Sequence, residues 1–159
     1  MLFTMSGTKI LDTLLAITMV LQSDQERELD RRGLTGPRTH LLWVLFHSGP
    51  ATQVQLAEAL DVTPRNVTTL VDALEATGFA RREPHPTDRR AVLVHLTERG
   101  MSIMESMDRE HTELGAALID GLDAATVSAA QHALDHVHTR LAQLIAEHEQ
   151  RLHDEDPHR

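Results

Sequence analysis

The sequence predicts a mainly α-helical protein with one small β-hairpin, and three observations predict it. Residues 52–77 carry two short amphipathic helices joined by a three-residue connection, each with a readable N-terminus. After Gly78 the apolar period changes from that of a helix to that of a strand, over residues 79–96. From residue 124 to 150 the apolar residues return at helical spacing and repeat at 3,4,3,4,3,4. The chain therefore divides into an N-terminal helical segment (1–36), a compact middle (37–100), C-terminal helices (101–150) and a polar tail (151–159).

Residues 1–8 read as a frayed end. Residues 9–31 read as a helix with Ile10, Leu11, Leu14, Ile17, Thr18 and Leu21 inward. The run Ile10–Leu21 behind Lys9 resembles a signal-peptide core, but Asp12 interrupts it and no small-residue cleavage site follows. It is also shorter than the roughly 20 apolar residues a bilayer requires. Such apolarity fits a helix buried on several sides, as at a subunit interface. Arg31 to Pro37 is a break. Residues 37–48 form a helix that Leu41, Leu42, Trp43, Leu45 and Phe46 make apolar nearly all round, hence interior. Arg38 at its start is placed to meet phosphate. Trp43 reads either as core or as the wall of a ligand pocket, with His40 and His47 as neighbours on the same helix.

Thr52 and Gln55 form a capping box ahead of a helix over 52–60, in which Val54, Leu56, Ala57 and Leu60 can pack inward. The connection Leu60-Asp61-Val62 has helix-turn-helix length. Asp61 and Thr63 compete for the next N-cap. Pro64 at the first helical position needs no amide hydrogen, and Gly78 can close the helix in the left-handed conformation. Between them Val67, Leu70, Val71 and Leu74 make one apolar face. Arg65, Thr69, Asp72 and Ala76 point the other way, flanked by Asn66 and Thr68. An ordinary solvated face carries Lys and Glu in i,i+4 pairs. Here the first two turns carry Arg, Asn and Thr, types suited to base edges and phosphates. The bland alternative is a polar helix whose small hydroxyl residues are incidental.

Residues 79–82 and 91–96 read as the two strands of a hairpin. The tip between them holds Pro84 and Pro86, which are expected to stay out of any ladder. Arg81, Arg82, Arg89 and Arg90 sit on this wing beside the helix-turn-helix, and a narrow minor groove attracts inserted Arg. Beyond the wing, Thr97 caps a helix over about 98–119 with Ile103, Met104, Met107, His111, Leu114 and Leu118 on one side. Gly121 breaks it and Asp123 caps the last helix. There Val127, Ala130, Leu134, Val137, Leu141, Leu144 and His148 form a heptad seam. Residues 124–150 span roughly 40 Å, too long a seam for so small a domain to bury alone, so the element is expected to dimerise.

The middle of the chain resembles the winged helix-turn-helix of the MarR family of bacterial transcription regulators. The resemblance is carried by VTPRNVTTLVDALEATGFARR and DRRAVLVHLTERG: the Leu-Glu-x-x-Gly helix end, the Asp-Arg-Arg tip and Leu-Thr-x-x-Gly occur in order. It implies a winged helix-turn-helix flanked by long dimerisation helices, acting as a homodimer on a palindromic operator, as a repressor in the family's usual mode. It also implies that Arg65, Asn66, Thr68 and Thr69, behind the Thr63 cap, face the major groove. Arg89 or Arg90 would enter the minor groove, with Asp88 orienting it. The family often has a basic or Ser-Arg pair where this helix has Thr68-Thr69, so base specificity does not carry over.

Composition bounds these expectations. The chain of 159 residues has 41% hydrophobic residues, enough for a core, and 3% aromatic residues, so that core is aliphatic and Met-rich. With no Cys, thiol-oxidation sensing is excluded and a cytoplasmic setting is the expectation. A net charge of −9 looks wrong for a nucleic-acid binder. Its distribution explains it: residues 61–100 hold six Arg against six acids, whereas residues 101–159 hold four Arg against twelve acids. The field is polarised, and binding is expected to be modest and steeply salt-dependent. Of the 11 His, His132 and His136 are spaced i,i+4, but no third ligand is fixed and a solvated face is the simpler reading, so no metal and no cofactor are expected. Protonation of several His toward pH 6 would reduce the negative charge and favour DNA. No phosphate loop or nucleophile elbow argues for an enzyme. The expected partners are double-stranded DNA, a second copy of the chain and a small aromatic or phenolic effector, with His40, Trp43, His47 and Met104 around it, and no membrane. The competing class is a winged-helix protein-interaction module without DNA binding, which the net charge and Asp72 on the reading face favour.

Overall fold

The computed structural model describes residues 2–88 and 91–155. Its elements run α1 (Leu2–Arg32), α2 (Gly36–Ser48), β1 (Ala51–Thr52), α3 (Gln53–Leu60), α4 (Pro64–Ala76), β2 (Ala80–Pro84), β3 (Val92–Leu96), α5 (Glu98–Leu118) and α6 (Ala124–Glu155). The chain divides into two compact units, residues 1–108 and 109–159. This is the mainly α fold with a small antiparallel sheet, a helix-turn-helix followed by its wing, that the periodicities predict.

The core lies in the first unit. Leu41, Leu42 and Leu45 of α2, Leu56 of α3, Val67, Val71 and Leu74 of α4, Val94 of β3 and Met104 of α5 are buried together with Leu34 and Phe79. Each such side chain contributes about 1.5–3 kcal/mol on leaving water. The i, i+4, i+7 spacing of Val67, Val71 and Leu74 makes α4 deliver one whole face to this core. Its opposite face is thereby obliged to be outside.

The local signals at the helix ends behave as read. The Thr52 side chain accepts from the Gln55 amide while the Gln55 side chain accepts from the Thr52 amide, closing the capping box. The contest between Asp61 and Thr63 resolves into two roles. Asp61 takes the left-handed conformation (φ 52) that ends α3, and Thr63 Oγ1 accepts from the Asn66 amide to start α4. Asp123 caps α6 through the Thr126 amide at 2.7 Å, which holds its carboxyl below the usual range.

Several expectations are corrected. The sheet is three-stranded among the described residues, in the order β1-β3-β2, because Ala51 and Thr52 pair with Val94 and Leu93. A two-residue strand has no period to read. Pro84 was expected to stay out of the ladder but pairs with Val92 as its last residue. As β2 is an edge strand, its missing amide hydrogen costs no ladder bond. Val54 was expected inward but is 60% exposed, since it stands about 200° round α3 from Leu56. Helix α1 begins at Leu2 rather than at residue 9, and α6 continues to Glu155, so residues 151–155 are helix rather than tail. No Gly or Pro intervenes between Gly121 and Pro157 to stop it. On α1, Ile10, Leu11, Ile17 and Leu21 are exposed in the single chain rather than inward. Among the described residues, no helix is long and apolar enough to cross a membrane.

Candidate nucleic-acid interface

The outward side of α4 is as the spacing demands. Thr63, Arg65, Asn66, Thr68 and Thr69 are all exposed, while Val67 between them is buried. Arg38 lies half-buried in the first turn of α2.

The two neighbouring arginines of β2 have different surroundings because successive residues of a strand face opposite ways. Arg81 pairs with His95 across the ladder, is exposed and bonds Glu83 at 2.7 Å. Arg82 pairs with the buried Val94 and turns onto α4. Its guanidinium meets Asp72 Oδ1 at 2.7 Å and Glu75 Oε2, while its amide donates to Glu75 Oε1 at 2.7 Å. Partial burial opposes the Arg82 charge, and the hydrogen bonds to Asp72 and Glu75 more than offset it, so its pKa is raised. The acid that stood out on the reading face, Asp72, is therefore paired to the wing. Gln53 completes the group. With its amide oriented to satisfy both ends, its oxygen accepts from Arg82 Nη2 at 2.9 Å and Nε at 3.2 Å, and its nitrogen donates to Thr68 Oγ1 at 3.2 Å. Sequence reasoning missed Gln53; a lone Gln in a first helical turn carries no signal of a partner 15 positions away.

A second junction sets the angle of the wing. Thr97 donates its amide to Phe79 O at 3.1 Å and its hydroxyl to Gly78 O at 2.7 Å, and accepts from the Gly100 amide at 3.0 Å. Arg99 lies 4.4 Å over the Phe79 ring and donates to Thr77 O at 2.9 Å. The Leu-Thr-x-x-Gly pattern thus ties the end of α4 to the start of α5.

At the wing tip, Thr87 and Asp88 donate their amides to His85 Nδ1 at 3.3 and 3.1 Å. Arg89 and Arg90 lie outside the described residues. The Glu83 carboxyl is held below its usual range, first by the Arg81 hydrogen bond and then by the charges of Arg81 and His95, against some desolvation. A lowered carboxyl adds stability above the ordinary glutamate range, and that stability is lost as pH falls through the lowered value. A carboxyl NMR titration is expected to place Glu83 below a peptide glutamate, and Arg81→Ala to return it upward. An unchanged midpoint in Arg81→Ala would refute this cause.

The residues expected around an effector are not equivalent. Met104 is 0% exposed in the core. Trp43 is half-buried, stacks on His47 at 5.0 Å and meets Phe46 edge-on at 5.9 Å, while His40 and His47 are exposed. Among the described residues no group of three or more His, Asp or Glu is placed to hold a metal ion; His132 and His136 are exposed on α6.

The MarR family model matches residues 34–92. The uncharacterized HTH-type transcriptional regulator YhbI of Bacillus subtilis (strain 168) is 30% identical over 117 residues, 74% of this chain and 76% of that protein. The HTH-type transcriptional repressor NicR of Pseudomonas putida is 34% identical over 74 residues, 46% of this chain and 47% of that protein. Among solved structures, Streptococcus pneumoniae FabT in complex with DNA superposes with a TM-score of 0.75 at 27% identity, over 86% of this chain and 98% of that one.

Proposed function

The chain belongs to the MarR family of transcription regulators, and from that premise we propose that it is a homodimeric repressor that reads a palindromic DNA operator with α4 and the wing. The observation that carries this is the division of α4 into an apolar face with Val67, Val71 and Leu74 buried and an exposed Arg65, Asn66, Thr68 and Thr69 face. In this reading Arg65, Asn66, Thr68 and Thr69 meet base edges in the major groove. Arg38, Arg81, Arg89 and Arg90 act at the backbone and the minor groove, with Asp88 orienting the arginine that enters it. Arg82 aligns wing and helix through Asp72 and Glu75. Two copies bring two α4 helices about 34 Å apart, one turn of the duplex. The dimer is attributed to α1 and the C-terminal helices, which expose Val20, Leu118, Leu134 and Leu141 in the single chain. The partly exposed Trp43, Phe46 and His47 aromatic group is where a small aromatic or phenolic effector would act, by binding one spacing of the reading heads better than another. A DNA-silent interaction module is the weaker reading, because Asp72, its local argument, is paired to Arg82.

Selection from a random duplex pool tests the proposal. The protein is expected to enrich a palindrome, to lose affinity steeply with salt, and to relax its preference at one position per half-site in Arg65→Ala, by about 1–3 kcal/mol. Enrichment of no duplex would refute it. A reporter behind the enriched duplex is expected to rise when the protein is absent or a relieving phenolic acid is added.

A further inference from the structure

The reading face of α4 offers a base less than its composition suggests. A hydroxyl has one hydrogen and two lone pairs. The Gln53 amide oxygen is held by two Arg82 donors, so its NH2 group is turned to Thr68 and fills one lone pair of Oγ1. Thr68 then spends its hydrogen on Pro64 O at 3.0 Å. Thr69 spends its hydrogen on Arg65 O at 3.2 Å. Arg82 is itself clamped by Asp72 and Glu75, which keeps the Gln53 amide from turning over. Both threonines remain exposed. What is left to meet a base is a methyl group on each, with one acceptor lone pair on Thr68 and two on Thr69.

In the major groove those two groups match an A·T pair, whose edge shows the adenine N6 donor and the thymine methyl on either side of the thymine O4. Guanine shows only acceptors there, and cytosine shows a donor without a methyl. We propose that Thr68 and Thr69 are specificity-determining residues that select A·T pairs through a methyl and an acceptor, with Gln53 as the positioning residue that holds Thr68 in this state. The inference rests on α4 being the major-groove helix.

The test uses the full-length protein and a duplex it has enriched. Each thymine of a half-site is replaced singly by deoxyuridine, which removes the methyl and nothing else. At one or two positions per half-site the affinity is expected to fall about fourfold, the worth of one methyl group. Thr68→Val, which keeps the methyl, should retain the thymine preference at its position, and Thr68→Ser should lose it. Gln53→Ala is expected to flatten the A·T over G·C preference at the Thr68 position and to leave the preference at the Thr69 position in place. A purely structural Gln53 would move the melting curve and leave the preference alone. Indifference of the wild type to every thymine-to-uracil exchange would overturn the inference, as would a Thr68→Ser, Thr69→Ser protein that still discriminates. Enrichment of no duplex would instead overturn the DNA-reading function, and this inference with it.

Discussion

Gly100→Ala is expected to cost about 3 kcal/mol of stability and to lower the melting temperature by roughly 10 °C. A Cβ at this position would fall inside the van der Waals envelope of the Phe79 carbonyl oxygen, with the carbonyl carbon at 3.1 Å and Leu96 Cδ2 at 3.3 Å. The obstacle is backbone, and it is held in place by the Thr97 amide, so no side chain can rotate to relieve it. Either α5 lifts from the end of α4 or the Thr97 bonds break. The second unit holds the control. Gly115, also on α5, has nothing within 4 Å of its Cβ position. Gly115→Ala should be neutral or stabilising by up to about 1 kcal/mol, since alanine is the better helix former. Thermal melts of the two variants decide it; equal effects would mean that the close approach at Phe79 is not what position 100 requires.

The second large effect is on assembly. Leu134 and Leu141 lie on the seam of α6 and are 51% and 53% exposed in the single chain. Replacing both by Glu leaves a solvated helix able to form but puts charge where the proposed partner packs. The double variant is expected to sediment as a monomer with unchanged helical circular dichroism. Its operator affinity should fall by about 10²–10⁴-fold, because the second half-site is no longer tethered to the first. A variant that remains dimeric would remove α6 from the interface, and with it the reason given for its length.

Much of the fold was legible because its signals are local. Thr52 with Gln55 and Thr63 with Pro64 start helices through bonds that reach three residues along the chain. The apolar face of α4 follows from the spacing of Val67, Val71 and Leu74. The winged arrangement of 52–100 was legible for the same reason, and the exposed set on α4 followed from its buried one. The site was only half legible. Arg81 and Arg82 look alike in the sequence, yet strand alternation turns Arg81 toward Glu83 and Arg82 toward Asp72 and Glu75. Asp72, which argued against nucleic acid when seen alone, changes meaning once Arg82 is beside it.

The sequence by itself determined where α3, α4 and α6 start, which side of α4 is apolar, and that an exposed Arg65, Asn66, Thr68 and Thr69 face precedes an arginine-bearing wing. All of these rest on interactions within one turn of helix or one step of strand. Only the tertiary structure decided that Ala51 and Thr52 add a third strand, that Gln53 reaches Thr68, and that Gly100 must be glycine because Phe79 passes it. Those contacts join residues 15 to more than 40 positions apart. Such partners are chosen by how the buried faces pack, which no short window of the sequence contains.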